Sequence, residues 1–557
     1  MQDDRPDDMD FIPELLELMP LSASDVLICD GPALARAYRL LNPTARITAI
    51  GAADPEIVDA VIDGRVETLP KSRIGGPFDL VVINETLGAL NDPARLLGRL
   101  SARMRPGGHL VTSYRNDVHW LRMRARLEGK AVSRDALTPD GAAGMLADAG
   151  LTLRRVRGHR QHMPAGQDRQ WFDGMLQAGL TSGCESDQME SRLAVTHYVS
   201  VATRPEEDGS FQKAMRFHQV ELAAGMEVRT RIPATALSAE PSLHVTTVFK
   251  RYEVPDVGSA GGVLLLQRPR ISDPKRLVDY VASCQKRGIV VIVEYDDDPT
   301  LVSRVLKRDD TPEIYRRNIA LAHAVQTSTA SLAEQFRKSN PEVMFFPNVA
   351  GQLPPLRQHR AGAVRVLFGA LNRSRTAELA AEFAPSIAAL PDACFEVVHD
   401  RAFFDALPAE NKNFLSRMKY DRYLDLMGRC DICLMPLEGL PEELGKSDVK
   451  WVEAASRGAI AIGSPAVYEG TIRHGENGFI TREPGDWSRL LIELAADPAL
   501  RNPVAATAWA EVRDSRMMAQ QVAARRDWYH DLMMRRDEIF ANAIRRSPAL
   551  VEALAAG

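Results

Sequence analysis

The 557-residue sequence predicts an α/β protein, with a doubly wound, mostly parallel sheet in residues 1–204 followed by two further α/β units, and three observations predict it. In residues 1–204, short apolar runs at 25–29, 46–50, 79–83, 109–112 and 198–202 alternate with helical segments, the rhythm of parallel strands joined by crossover helices. From 211 to 350, the runs Gly262-Val263-Leu264-Leu265-Leu266-Gln267 and Ile289-Val290-Val291-Ile292-Val293-Glu294 are continuously apolar, as strands buried on both faces must be. Further strands are expected at 323–328 and 343–348. From 364 onward the same rhythm returns, with runs at 364–368, 394–398, 430–437 and 459–463.

The boundaries follow from composition. Arg204-Pro205-Glu206-Glu207-Asp208-Gly209-Ser210 is polar and turn-forming, and it closes the first unit. Residues 351–362, rich in Pro, Gln and Arg, form the expected hinge. The expected domains are therefore 1–204, 205–350 and 351–557, consistent with units on the order of 100–200 residues each. A long helical tail begins near Asp514.

The net charge of −5 argues against a dedicated nucleic-acid binder, which would carry a basic surface. No apolar run approaches the roughly 18 residues of a membrane helix, and the acidic opening Met1-Gln2-Asp3-Asp4-Arg5-Pro6-Asp7-Asp8 is unlike a secretory signal. A cytoplasmic protein is expected, with the inner face of the plasma membrane as a place of contact. The basic segment 120–126 is the candidate for a peripheral membrane contact, and a solvated arginine face is the plainer reading. Six cysteines, at 29, 184, 284, 394, 430 and 433, are spread too thinly for a disulfide framework. Cys430 and Cys433 have zinc-knuckle spacing without a second pair nearby, so no metal site is expected.

The segment with the most chemistry is Gly445-Lys446-Ser447-Asp448-Val449-Lys450-Trp451-Val452-Glu453-Ala454-Ala455-Ser456-Arg457-Gly458. It predicts a helix over 448–457, with Ser447 as N-cap and Gly458 as stop. Val449, Val452 and Ala455 or Ser456 are expected to face the sheet, leaving Lys450 and Glu453 on the opposite side. Lys446 and Lys450 sit at the helix's positive end, where a cation is disfavoured and a phosphate is welcome. The same spacing also describes a surface helix in which Asp448 and Glu453 balance the lysines. In the middle unit, Asp296, Asp297 and Asp298 follow a buried strand, where open α/β sheets place their ligands. Asp297 or Asp298 is the candidate general base or acceptor-binding carboxylate, with a plain solvated turn as the other reading. Arg268, after the preceding strand, is suited to a phosphate, with an exposed loop arginine as the other reading.

The C-terminal third, 364–532, resembles the donor-binding half of GT-B glycosyltransferases, close to family 4. The resemblance rests on the strand 364–368 ending in Gly369, the strands 394–398 and 430–437, the helix with Glu453, and the later Glu469 and Asn477-Gly478-Phe479. It implies two Rossmann-like domains in GT-B arrangement. A nucleoside-diphosphate sugar would lie in the cleft between them, against Gly369, Lys446, Ser447, Lys450, Glu453, Asn477 and Gly478. Asp296 and Arg268 would meet a glycan or lipid-linked acceptor, with no cofactor or metal required. The implied activity is sugar transfer in bacterial surface-polysaccharide (lipopolysaccharide, O-antigen, exopolysaccharide) or glycoconjugate synthesis. One departure is that the family's earlier glutamate, eight positions before Glu453, is replaced by Gly445, with Lys446 expected to take over part of its work.

The first unit resembles class I S-adenosylmethionine methyltransferases, through Phe78-Asp79-Leu80-Val81-Val82 and Arg105-Pro106-Gly107-Gly108 leading into a strand. That resemblance would place the cofactor on Asp30, Gly31 and Asp54. The turn Cys29-Asp30-Gly31-Pro32 has one glycine, however, and the first acid after the second strand is Asp54, whereas such sites need close backbone approach and an acid at the strand end. A cofactor-free relic is the expectation; a bifunctional methyltransferase/glycosyltransferase and a non-catalytic scaffold are the alternatives.

Overall fold

The computed structural model describes residues 12–84, 87–160, 164–210, 212–222, 227–369 and 375–555; the acidic opening from Met1 to Asp8 lies outside them. The chain divides into two compact units: Met1–Ala214 with Thr235–Leu243, and Met215–Ala234 with His244–Gly557.

The first unit holds one sheet of β1 (Asp25–Cys29), β2 (Arg46–Ile50), β3 (Ala60–Ile62), β4 (Phe78–Ile83), β5 (Met104–Asn116), β6 (Ala136–Leu137), β7 (Thr152–Arg160) and β8 (Val195–Thr203). Its order is β3-β2-β1-β4-β5-β8-β7, with β6 paired to β5. Strands β1 to β5 run parallel, and β8 is antiparallel to both β5 and β7. All five expected strands are present, joined by three that were not anticipated. Of these, β7 carries four arginines in nine residues and lies at a sheet edge, where burial does not impose an apolar pattern. The Arg105-Pro106-Gly107-Gly108 run is incorporated into β5 rather than preceding it. Arg105 there pairs with Asp25 (2.7 Å) and Asp79 (2.5 Å), so this run ties together the starts of three adjacent strands.

The helix Trp120–Leu127 does not present the free cationic face considered for membrane contact. Arg122 pairs with Asp135, Arg124 with Glu128 and Asp168, and Arg126 with Asp117. Among the described residues, no helix is long and apolar enough to cross a membrane.

The second unit contains two six-stranded sheets. One comprises β9 (Met215–Glu221), β10 (Leu243–Phe249), β11 (Gly262–Gln267), β12 (Ile289–Glu294), β13 (Ala324–Thr327) and β14 (Val343–Phe345), in the order β10-β9-β11-β12-β13-β14. The other comprises β15 (Arg365–Phe368), β16 (Cys394–Val398), β17 (Lys412–Leu415), β18 (Ile432–Met435), β19 (Ile460–Gly463) and β20 (Phe479–Ile480), in the order β17-β16-β15-β18-β19-β20, all parallel. Every residue of β11, β12 and β16 is buried, as the continuous apolar runs require. Cys430 and Cys433 are packed in the core beneath the helix Val449–Ser456.

The hinge 351–362 is docked rather than loose. His359 Nδ1 lies 3.0 Å from Asp431 and its Nε2 lies 2.9 Å from the Gly458 carbonyl, while Arg357 also meets Asp431. The tail returns onto the β9–β14 sheet: Tyr529 donates to Gln326 (2.7 Å), its ring packs on Phe217, and Arg535 pairs with Glu342 (2.8 Å).

Candidate functional site

Both sheets of the second unit have a topological switch point, between β9 and β11 and between β15 and β18, and ligands of open α/β sheets bind outside the carboxyl ends of strands at such points. A cavity of about 560 Å³ lies there. The β9–β14 half contributes Arg229, Arg268, Asp296, Asp297 and the apolar side of the helix Pro299–Leu306; the β15–β20 half contributes Gly369, Tyr420, Tyr423, Lys446, Ser447, Lys450 and Glu453. Its lining carries six Lys and Arg side chains against four carboxylates, with Arg229 ion-paired to Glu294 and Arg268 to Asp296 and Asp297.

The helix that supplies Lys450 and Glu453 runs Val449–Ser456, with Asp448 at the N-cap position. Ser447 is not the cap; its hydroxyl receives the Asn348 amide (2.7 Å) and faces the cavity. The Asp448 carboxylate makes no cap hydrogen bond, because Arg516 holds both of its oxygens at 2.7 Å and Thr471 donates to it. Trp451 through Ser456 are all buried. The helix is therefore not a surface element, and Val449 lines the cavity instead of facing the sheet as expected.

Lys450 Nζ donates to the Gly369 carbonyl and lies 5.7 Å from the Tyr423 ring centroid. A Cβ on Gly369 would stand 2.5 Å from the Tyr423 hydroxyl, so only glycine fits between strand end and tyrosine. Glu453 is 8% exposed. Burial pushes its carboxyl up, while the Lys450 ammonium and the Tyr420 hydroxyl pull the other way, leaving an acid whose charge responds to what binds beside it. The Tyr420 and Tyr423 phenols are raised by burial and by Glu453 and remain neutral donors.

On the facing wall Arg268 is already occupied. Its Nε meets Asp296 (2.5 Å), its terminal nitrogen meets Asp297 (2.8 Å), and Lys446 Nζ stands 3.7 Å from Asp297. Burial pulls the Arg268 guanidinium down, but the two aspartates outweigh it and hold it above its ordinary value. Burial likewise raises Asp296, and Arg268 more than reverses that, so Asp296 stays ionised. Arg268, the residue suited to a phosphate, lines the cavity with its guanidinium held by these two carboxylates. Asp296 belongs to the same ion pair and also lines the cavity. Asp298 does not line the cavity: its carboxylate caps the helix Pro299–Leu306 by accepting from Thr300 (2.7 Å).

Asn477 and Gly478 are likewise structural. The Asn477 side chain bonds Arg473, Thr471 and Glu511, its carbonyl receives the Trp451 indole, and neither residue lines the cavity. A Cβ on Gly478 would meet Ile472 at 3.1 Å and the Ala461 carbonyl at 3.2 Å, so that glycine allows close packing. Glu443, two residues before Gly445, is buried and accepts from the backbone of 438, 439 and 440; it shapes the loop and does not replace the missing glutamate.

Sequence reasoning passed over Arg229, Tyr420 and Tyr423. Arg229 forms a fully enclosed ion pair with Glu294 (2.6 Å) and donates to Thr327, Phe346 and Asn348, fixing the floor of the cavity. The Tyr420-x-x-Tyr423 spacing, one helical turn apart, was the available signal; an isolated Arg229 gave none.

In the first unit the switch point lies between β1 and β4. Gly31 is the N-cap of the helix Pro32–Leu41, and Pro32 at its first position removes a backbone N–H. A Cβ on Gly31 would meet Ile28 at 3.1 Å and Leu34 at 3.4 Å, so this glycine serves packing. Asp30, at φ 55°, projects its carboxylate over Gly51, where a Cβ would fall 2.8 Å from it. Asp54 is held by Arg36 (2.7 Å) and accepts from the Glu56 amide. These residues do not fit the open glycine turn and free acid that S-adenosylmethionine needs.

Residues 36–174 match the family model described as a methyltransferase domain. No curated protein matches the chain. The chain is similar to the solved structure of HepE from Anabaena in complex with UDP and glucose, at 13% identity and a TM-score of 0.39 over 56% of this chain and 99% of HepE. It is also similar to a TarM mutant from S. aureus in complex with fondaparinux, alpha-GlcNAc-glycerol and UDP, at 8% identity and a TM-score of 0.38 over 49% of this chain; the match spans just over half of TarM's length, 56%. N-methyltransferase NodS from Bradyrhizobium japonicum WM9 aligns at 18% identity and a TM-score of 0.23 over 37% of this chain and 99% of NodS.

Proposed function

We propose that the second unit is a glycosyltransferase that moves a sugar from a nucleoside-diphosphate donor to a glycan or lipid-linked acceptor, in the cytoplasm, for bacterial surface-polysaccharide or glycoconjugate synthesis. The observation that carries this reading is one cavity at two switch points, with Lys446, Lys450 and a helix N-terminus on one wall and the buried Glu453 beside them. The donor diphosphate lies against the lysines and Gly369, and Glu453 accepts hydrogen bonds from donor hydroxyls. As the bond from the sugar to the diphosphate breaks, negative charge grows on the leaving group, where the fixed cations and helix dipole stabilise it. The acceptor hydroxyl enters from the side of Asp297, which receives its proton as the new glycosidic bond forms.

No cofactor or metal takes part in this scheme. The first unit acts as a docking or orienting module that does not bind S-adenosylmethionine. The test is release of nucleoside diphosphate from a panel of nucleotide sugars by the full chain. Glu453→Ala and Lys446→Ala are each expected to lower turnover about ten-fold or more, in line with loss of one charge-stabilising contact, with the fold intact by circular dichroism. Unchanged turnover in both variants refutes the assignment.

A further inference from the structure

Resting on the reading of this cleft as a donor site, we propose that Lys446 exchanges partners on binding: the ammonium paired with Asp297 moves to the donor diphosphate, so that donor arrival itself prepares the acceptor side.

The geometry makes Lys446 the movable member of the pair. Asp297 is pinned through its other oxygen by Arg268 at 2.8 Å and cannot follow the ammonium, whereas Lys446 reaches it only at 3.7 Å. Both groups line the cavity. The backbone that carries Lys446 is anchored on each side. Upstream, Glu442 pairs with Arg304 of the opposite half (2.7 Å), and Glu443 accepts the amides of the turn 438–440. Flanking it, the Gly445 carbonyl receives the Thr329 hydroxyl and Ser447 receives the Asn348 amide. A change of partner therefore falls to the four-carbon side chain, with three rotatable donors and a compact charge.

A diphosphate brings more charge and more acceptor oxygens than a carboxylate already shared with Arg268, so it outcompetes Asp297 for the ammonium. Asp297 then keeps Arg268 but loses the opposing cation on its cavity side, which strengthens it as the acceptor of a hydroxyl proton. The donor thereby precedes the acceptor.

The test is titration calorimetry with UDP and GDP on the full chain, as a cycle of Asp297→Asn, Lys446→Ala and the double variant. Freed from its carboxylate, Lys446 should bind the nucleotide about two- to five-fold more tightly in Asp297→Asn, the range of a partly exposed ion pair. The gain should vanish in the Lys446→Ala background. An equal gain in both backgrounds reflects general charge and overturns the exchange, as does no gain at all. Asp297→Ser, read the same way, serves if the asparagine variant does not fold. If the wild type binds neither nucleotide, the donor-site reading itself fails and the exchange falls with it; wild-type binding without the cycle's coupling removes the exchange alone.

Discussion

The first unit and the β15–β20 half of the second share a topology, in which the chain lays down three strands to one side and then crosses back beside the first. They differ in how the crevice so created is furnished. At the end of β1, the polar side chains are turned inward on the protein: Asp54 to Arg36, Asp30 over Gly51, and Pro32 in place of an amide. At the end of β15, Gly369 opens onto a cavity where Lys446, Lys450 and Glu453 converge. Strand order supplies a place for a ligand, and the side chains at that place decide whether the crevice is equipped to hold one.

The comparison breaks most completely if the floor of the equipped crevice is removed. Arg229→Ala leaves Glu294, at 0% side-chain exposure, without its ion-pair partner and with the Gln326 amide still donating to it. Stability should drop by about 3–5 kcal/mol, read as a fall in the denaturant midpoint. A smaller step is Lys450→Ala, which removes the donor to the Gly369 carbonyl and a cation from the cavity. It should weaken UDP binding by about ten-fold, the lower end of the range for one charge-assisted hydrogen bond, as measured by calorimetry.

Asp431 sharpens the comparison through pH. Burial raises its carboxyl, but the His359 hydrogen bond, the Arg365 amide and Arg357 more than reverse this and hold it near 2, against an ordinary 3.8. Because the folded value is the lower one, the stabilisation is present above the ordinary carboxylate range and is lost as pH falls toward 2. Between pH 4 and 2, melting temperature should therefore fall more steeply in the wild type than in Asp431→Asn. At the small end, Asp54→Ala breaks a surface pair, 40% exposed on the aspartate side, and an exposed hydrogen bond from the Glu56 amide. It should change stability by less than about 1 kcal/mol and leave UDP binding unaltered.

Much of this architecture was legible in the sequence where burial is complete. The runs 262–267, 289–294 and 394–398 coincide with β11, β12 and β16 to the residue, because strands covered on both faces admit little but apolar side chains. The strands that escaped notice include β3, β7, β10 and β17, each at the edge of its sheet, where one side meets solvent and the apolar pattern dissolves. The same logic governs the site. Lys446, Lys450 and Glu453 lie on one helix and its approach, so spacing alone grouped them. The pairing of Arg268 with Asp296 and Asp297 joins two strand ends, and Arg229 reaches Glu294 across 65 positions; no local pattern reports such contacts. Asp298 was misread because a carboxylate before Pro299 also satisfies a helix cap.

The central claim is that the equipped crevice holds a nucleoside diphosphate and the first unit's crevice does not hold S-adenosylmethionine. The most direct measurement is a thermal-shift panel on the full chain and on Glu453→Ala, with UDP, GDP, CMP, their sugar conjugates and S-adenosylhomocysteine. Stabilisation by one nucleotide diphosphate, lost in Glu453→Ala, with no shift from S-adenosylhomocysteine, is the predicted result. A shift with S-adenosylhomocysteine alone would contradict the account and make the first unit the active one.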